Sequence, residues 1–151
     1  MKTLKAGNPA PKFELPTQTG ETLSLDSLLA NGPVVLFFYP VASSGGCTKQ
    51  ACHFRDLRSE FVAVSAQRVG ISTDDVAAQK GFTDAEGLDY PLLSDTDGAV
   101  ATAYGVKRRY ITPVKRATFV IASDGTIREV ITSERNFTVH ADKALESLQS
   151  G

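Results

Sequence analysis

The sequence predicts an α/β fold in which helices cover a central parallel or mixed β-sheet. Two observations support this prediction. Strand-like and helix-like segments alternate through most of the chain, and the end holds two β-type runs joined at "SDG" and followed by an amphipathic helix. With 151 residues, 42% of them hydrophobic and 22% charged, the chain suits a single domain spanning residues 1–151.

The most strongly indicated strand is "VVLFFY", residues 34–39, a continuous run rich in β-branched and aromatic side chains. Such a run is typical of a strand that is buried on both faces of a parallel sheet. The next segment, "CTKQACHFRDLRSEF", predicts a helix that begins near Cys47 and continues to Phe61. Its apolar residues recur at helical spacing, at Ala51, Phe54, Leu57 and Phe61.

The remaining segments complete the alternation. "ETLSLDSLL" predicts a short strand running into a helical turn that Asp26 would cap. "RVGIST" is a second buried-strand candidate, and "DDVAAQKGFTDAEG" indicates a helix that ends near Gly87. "YPLLSD" is short and extended, and "DGAVATAYGV" indicates a brief helix stopped at Gly105. "ATFVIASDGTIREVIT" predicts a β-hairpin, and "ADKALESLQ" predicts the last helix.

Composition narrows the function classes. The net charge is −1, from 16 basic and 17 acidic residues, which gives no reason to expect nucleic-acid binding or a polybasic membrane contact. The first residues lack the apolar core of a signal peptide, and the longest apolar run has six residues, too few for a membrane span. We therefore expect a cytoplasmic protein, in which a pair of cysteines is more often catalytic, redox-sensing or metal-binding than a permanent disulfide.

Cys47 stands where a predicted strand has ended and a predicted helix begins, directly after Gly45 and Gly46. At such a position the unpaired amides of the first turn and the helix dipole favour a thiolate, which is the nucleophilic form of cysteine. The alternative is an inert buried thiol that packs as a small hydrophobic side chain. Position alone leaves both interpretations open.

Cys52 follows five residues later on the same predicted helix. Two Cα atoms with this separation lie roughly 8.6 Å apart on an ideal helix, whereas a disulfide requires them within about 7 Å. A Cys47–Cys52 bond therefore requires the first turns to unwind. The alternative is a buried core thiol. We interpret His53 as a surface or satisfied histidine and His140 as a surface residue, so no metal site is expected.

The stretch "PVASSGGC" resembles the peroxiredoxin motif P-x-x-x-[TS]-x-x-C, with Pro40, Ser44 and Cys47 at its defined positions. The continuation "CTKQACHFRDL" is similar to the peroxiredoxin Q, or bacterioferritin comigratory protein, subfamily. The segments "FFYP", "VGIST", "YPLLSD", "YGVK" and "VKRATFVI" follow in the expected order. The chain departs from the common pattern in having Ser44 for threonine, Gly45 for proline, and Gln50 where glutamate is frequent.

This resemblance implies a thioredoxin-like fold and a thiol-dependent peroxidase acting on hydrogen peroxide and organic hydroperoxides without a metal or organic cofactor. It assigns Cys47 as the peroxidatic nucleophile, Ser44 as a hydrogen-bond partner of the peroxide, Pro40 as a shield from water, Arg116 as the active-site arginine and Cys52 as the resolving thiol. A Cys47 sulfenic acid would give a Cys47–Cys52 disulfide, which thioredoxin or a similar dithiol would reduce. The resemblance also implies a monomer, in some cases a dimer.

Two other function classes use the same thiols. One is a peroxide-sensing redox interaction protein, which would be oxidised stoichiometrically and would recover slowly. The other is a disulfide oxidoreductase of the thioredoxin type, which the absence of a C-x-x-C motif disfavours.

Overall fold

The computed structural model describes residues 2–108 and 112–150. Its strands are β1 Glu14–Pro16, β2 Thr22–Ser24, β3 Val34–Phe38, β4 Gln67–Ser72, β5 Leu92–Ser94, β6 Ala117–Ile121 and β7 Ile127–Thr132. Its helices are α1 Leu25–Leu29, α2 Gly45–Asp56, α3 Arg58–Ala63, α4 Val76–Glu86, α5 Ala99–Ala103 and α6 Val139–Gln149. Within these described ranges, no helix combines the length and the apolar character needed to cross a membrane.

Five strands form one mixed sheet in the order β5-β4-β3-β6-β7, which confirms the predicted sheet flanked by helices. β3 runs parallel to β4 and antiparallel to β6, and β7 pairs antiparallel with β6 as the predicted hairpin. β1 and β2 form a separate antiparallel ribbon. The sequence analysis did not predict β1, because three residues are too few to display an alternating pattern.

β3 lies at the centre of the sheet, and all five of its residues are fully buried. Val34, Leu36 and Phe38 face one hydrophobic cluster, whereas Val35 and Phe37 face a second cluster on the opposite side. The two-sided burial explains why this strand is a continuous apolar run. In the second cluster the ring of Phe37 stacks on Phe54 of α2 with centroids 4.2 Å apart, which fixes α2 against the sheet.

The predicted single helix from Cys47 to Phe61 is wrong in its bounds. α2 begins at Gly45, and the helix is interrupted at Leu57, where φ is −92° and ψ is 18°, before α3 continues the chain. The guanidinium of Arg68 donates a hydrogen bond to the carbonyl of Phe54 at 3.0 Å. The carbonyls at the end of α2 thus find a partner outside the helix, and the chain can change direction there.

Two predictions about single residues are also corrected. Ser24, not Asp26, caps α1: its backbone is extended and its hydroxyl accepts a hydrogen bond from the amide of Ser27 at 3.1 Å. Asp26 lies in the first turn instead. His140 is fully buried rather than exposed. It lies in the first turn of α6, which begins at Val139, and its imidazole points toward Thr118 of the sheet.

A buried polar network joins the end of β3 to β4 and α4. Burial raises the pKa of Tyr39, so its hydroxyl stays protonated and donates to the side-chain oxygen of Gln79. The amide nitrogen of Gln79 donates to Ser72 Oγ at 2.9 Å, and Ser72 donates to Asp74 at 2.6 Å. The Asp74 carboxylate accepts the backbone amide of Ala42 at 2.8 Å. The network therefore anchors the loop that leads from β3 to Cys47.

We predict that Gln79→Met lowers the free energy of unfolding by about 2–4 kcal/mol, because methionine leaves Tyr39 and the Leu93 carbonyl buried without their partner. Urea denaturation measures this change. The matched control is Lys80→Gln on the exposed side of the same helix, where the ion pair with Asp84 contributes at most about 0.5 kcal/mol. Equal losses in the two variants would contradict the structural role of the network.

Candidate active site

Cys47 is the third residue of α2, and only 1% of its surface is exposed. The chain reaches it from β3 through buried Pro40 and a loop in which Ser43 adopts a left-handed conformation, with φ of 65°. Ser44 then takes the extended N-cap conformation without a side-chain capping bond. Its carbonyl accepts the first helical hydrogen bond, from Thr48, so the amides before Thr48 have no acceptor within the helix.

Arg116 lies immediately before β6, and its side chain reaches Cys47. The register of the sheet explains this approach, because Ala117 is paired with Phe38, so the chain entering β6 lies beside the chain leaving β3. Arg116 is 6% exposed, and its Nη2 donates to the Cys47 sulfur at 3.4 Å. Its Nη1 donates to Oε1 of the fully buried Gln50. One guanidinium thus contacts two side chains of α2.

The ring of Phe137 packs against the guanidinium of Arg116. The guanidinium carbon of Arg116 lies 4.8 Å from the centre of the Phe137 ring, within the range of a cation–π interaction. A Cβ atom at Gly46 would come within 2.6 Å of that ring and 3.3 Å of Arg116 Nη2. A glycine is therefore needed at position 46, because any side chain there would keep the Phe137 ring and the Arg116 guanidinium from packing against the first turn of α2.

The segment before α6 is fixed by His140 and Glu134. Burial, together with the nearby Arg116 charge, lowers the pKa of His140 and keeps the imidazole neutral. Its Nε2 donates to the Ser133 carbonyl at 2.9 Å, which leaves Nδ1 to accept from the Thr118 hydroxyl at 2.8 Å. The Glu134 carboxylate accepts the backbone amide of Arg116 at 2.7 Å. These bonds hold the segment that carries Phe137 against β6.

Cys52 lies further along α2 and outside this cluster. Its side chain is half-buried, and its sulfur is 3.5 Å from Oε1 of Glu86 at the end of α4. Both cysteines are free and belong to one uninterrupted helix, so the expected conflict between helix and disulfide geometry holds. His53 is satisfied, with Nε2 2.7 Å from Asp142. Among residues 2–108 and 112–150, no group of three His, Cys, Asp or Glu side chains is placed to hold a metal ion.

The structure thus brings two of the five predicted site residues, Cys47 and Arg116, into direct contact. Pro40 and Ser44 flank Cys47 along the chain, and the Ser44 hydroxyl donates to the Val41 carbonyl at 2.9 Å. The sequence analysis missed the contacts that Gln50 and Phe137 make with Arg116. Phe137 belongs to no motif or periodic segment, so no sequence signal pointed to it.

Comparisons with known proteins point to one family. The sequence pattern of the AhpC/TSA family matches residues 6–130. A putative peroxiredoxin of Mycobacterium tuberculosis strain H37Rv is 54% identical over 150 residues, covering 97% of each chain. A putative peroxiredoxin named bcp, from Coxiella burnetii, is 41% identical over 134 residues, covering 85% of this chain and 88% of the relative.

Solved structures give the same result. The crystal structure of peroxidoxin BcpB from Mycobacterium tuberculosis aligns with a TM-score of 0.94 at 54% identity, covering 97% of both chains. The bacterioferritin comigratory protein of Xanthomonas campestris aligns with a TM-score of 0.84 at 27% identity, covering 91% of this chain and 90% of the other. The chain therefore belongs to the AhpC/TSA family, as a thiol peroxidase with a thioredoxin-like fold and of the peroxiredoxin Q, or bacterioferritin comigratory protein, type.

Proposed function

We propose that Cys47 is the peroxidatic nucleophile of a peroxidase that reduces hydrogen peroxide and organic hydroperoxides. The observation that carries this proposal is the 3.4 Å contact between Arg116 Nη2 and the buried Cys47 sulfur at the start of α2. The contact places a permanent positive charge and several fixed donors beside a cysteine that already faces the unpaired amides of a helix N-terminus.

In the first step the thiolate attacks one peroxide oxygen, so that a sulfur–oxygen bond forms while the oxygen–oxygen bond breaks. The second oxygen leaves with negative charge and takes a proton to become water or an alcohol. Donors aimed at that oxygen stabilise the transition state more than the ground state. Arg116 can supply such a donor, because its buried Nε has no acceptor among the residues that the structure describes.

Ser44 and Pro40 complete the proposed peroxide site. The Ser44 hydroxyl uses its proton on the Val41 carbonyl, which leaves its oxygen lone pairs to accept a hydrogen bond from a peroxide O–H group. Pro40 has no amide proton and is buried at the end of β3, so it shields the sulfur from bulk water without competing for the peroxide.

Cys52 is proposed to resolve the sulfenic acid that this step leaves on Cys47. The Cys52 sulfur attacks the Cys47 sulfur, a disulfide forms, and the sulfenic oxygen leaves as water. The first turns of α2 must unwind, and Gly45, Gly46 and the absence of a side-chain cap at Ser44 make this end of the helix the easier one to open. Thioredoxin or a similar dithiol then reduces the disulfide by exchange.

We predict that Cys47→Ser abolishes peroxide reduction, because serine is not a competent nucleophile here. Cys52→Ser should consume one equivalent of peroxide and then stop when thioredoxin and its reductase are the only electron source. Peroxide consumption and intact-protein mass spectrometry follow both variants. Full turnover by Cys47→Ser would refute the proposal, and sustained turnover by Cys52→Ser would remove the resolving role.

We predict that Arg116→Lys lowers kcat/KM for hydrogen peroxide by about 10²–10³-fold, because lysine keeps the charge but has a single nitrogen in place of the two separated nitrogens that contact Cys47 and Gln50. The matched control is Arg128→Lys, the same substitution at an exposed residue of β7. Stopped-flow peroxide consumption measures both rates. An Arg116→Lys enzyme as fast as the control would contradict the proposed role.

We predict that Gly46→Ala lowers kcat/KM by about ten- to a hundredfold, because its methyl group displaces the Phe137 ring and shifts the Arg116 guanidinium. Gly45→Ala adds the same methyl group one residue earlier, where nothing lies within 4 Å, and should leave the rate near that of the parent enzyme. Steady-state kinetics compare the pair. Equal losses would show that the contact with Phe137 is not the cause.

A further inference from the structure

Cys52 sits in a contact between two helices. Its sulfur donates to the Oε1 atom of Glu86 at 3.5 Å, and Glu86 is the last residue of α4. On the same side of α2, the Arg55 guanidinium donates to the main-chain carbonyl of Glu86. Glu86 is thus joined to α2 twice, once through its side chain and once through its backbone.

The surroundings of Cys52 disfavour a thiolate. Burial raises the pKa of Cys52, Arg55 acts in the opposite direction, and the hydrogen bond and charge of Glu86, with the charge of Asp56, raise it further. Tyr90 packs nearby as a neutral phenol, because burial raises its pKa well above the usual range and its hydroxyl donates to the Ala51 carbonyl. In the intact helix Cys52 is therefore held as a thiol.

The thiol form has a consequence for the resolving step. Only the thiolate attacks a sulfenic acid efficiently, and the disulfide cannot form until α2 unwinds. The Cys52 proton must leave, the sulfur–sulfur bond must form as the sulfur–oxygen bond breaks, and the departing hydroxide and the proton together give water. Glu86 raises the pKa of Cys52 only while the two side chains are in contact, so moving Cys52 away from Glu86 makes this proton easier to lose.

We propose that Glu86 is a positioning residue that keeps Cys52 hydrogen-bonded and unreactive while α2 is folded, and releases it when the helix unwinds after Cys47 is oxidised. This inference rests on the resolving role proposed for Cys52. It gives the reduced enzyme a second cysteine that is protected from peroxide and from other electrophiles until Cys47 has reacted.

The test uses the full chain with Cys47→Ser, so that Cys52 is the one thiol present. Its alkylation by iodoacetamide is followed by mass spectrometry from neutral to alkaline pH, with Glu86 intact and with Glu86→Gln. We expect Glu86→Gln to move the midpoint of the pH profile downward. If the midpoint falls by about one pH unit, alkylation below it should be about threefold faster, since thiolate population rises tenfold while nucleophilicity falls.

The matched control is Asp84→Asn, which removes one negative charge from an exposed position of α4 that is paired with Lys80. Its midpoint should equal that of the Cys47→Ser parent. An unchanged or higher midpoint for Glu86→Gln would overturn the proposal, as would the same change in the control. Faster alkylation at every pH with no change of midpoint would also overturn it, because that result describes a loosened helix.

Glu86→Asp provides a second variant should Glu86→Gln fail to fold. It keeps the charge but shortens the side chain by one methylene group, so its midpoint should fall by less, and an unchanged midpoint overturns the proposal equally. Because Cys47 is replaced in every protein of this series, the result does not depend on peroxide chemistry. Failure of the proposed peroxidase cycle would instead appear in the Cys47→Ser and Cys52→Ser activity measurements.

Discussion

A guanidinium that is removed from water carries a desolvation cost of several kcal/mol unless other groups compensate for its charge. Arg116 is 6% exposed, and within residues 2–108 and 112–150 no carboxylate pairs with its side chain. Its partners are the Cys47 sulfur, the Gln50 oxygen and the face of the Phe137 ring. Under the proposed function, the charge that this arginine stabilises is the negative charge that develops on sulfur or on a departing peroxide oxygen.

The contact between Arg116 and Cys47 is positioned by the core of the protein more than by its loops. The pairing of β3 with β6 places Arg116 beside the chain that leaves Phe38. The Phe37–Phe54 stack holds α2 against the same sheet. His140 supplies the third constraint, because its two ring nitrogens link β6 to the segment that carries Phe137. Because strand pairing and core packing bring these residues together, the site does not need a recognisable sequence motif around each of its residues.

That assembly explains what could be predicted from the sequence. β3 was predicted because both of its faces are buried. Cys47 stood out because it follows a strand and two glycines, but its position alone left an inert thiol possible, and only the family resemblance assigned its role. Arg116 was assigned only through the family resemblance, since its nearness to Cys47 depends on a strand pairing that no local pattern reveals. Phe137 and the burial of His140 were missed for the same reason, because their environment is created by residues distant in sequence. The interruption of the helix at Leu57 was missed for the same reason, since Arg68, which bonds the Phe54 carbonyl at the end of α2, lies on β4.

The two ends of α2 are held by different contacts. This difference matters for the proposed cycle, in which one helix carries Cys47 for peroxide reduction and Cys52 for resolution of the sulfenic acid. The end that carries Cys52 is bonded from outside, by the Tyr90 hydroxyl on the Ala51 carbonyl at 2.8 Å and by Arg68 on the Phe54 carbonyl at 3.0 Å. The end that carries Cys47 has two glycines, no side-chain cap and the Arg116 contact to the sulfur itself. In the proposed reaction an oxygen added to that sulfur would occupy space beside Arg116, so oxidation would disturb this contact. In the proposed cycle, the chemical change at Cys47 therefore acts on the part of the helix that must open first, while Tyr90 and Arg68 hold the main chain of the far end against the sheet.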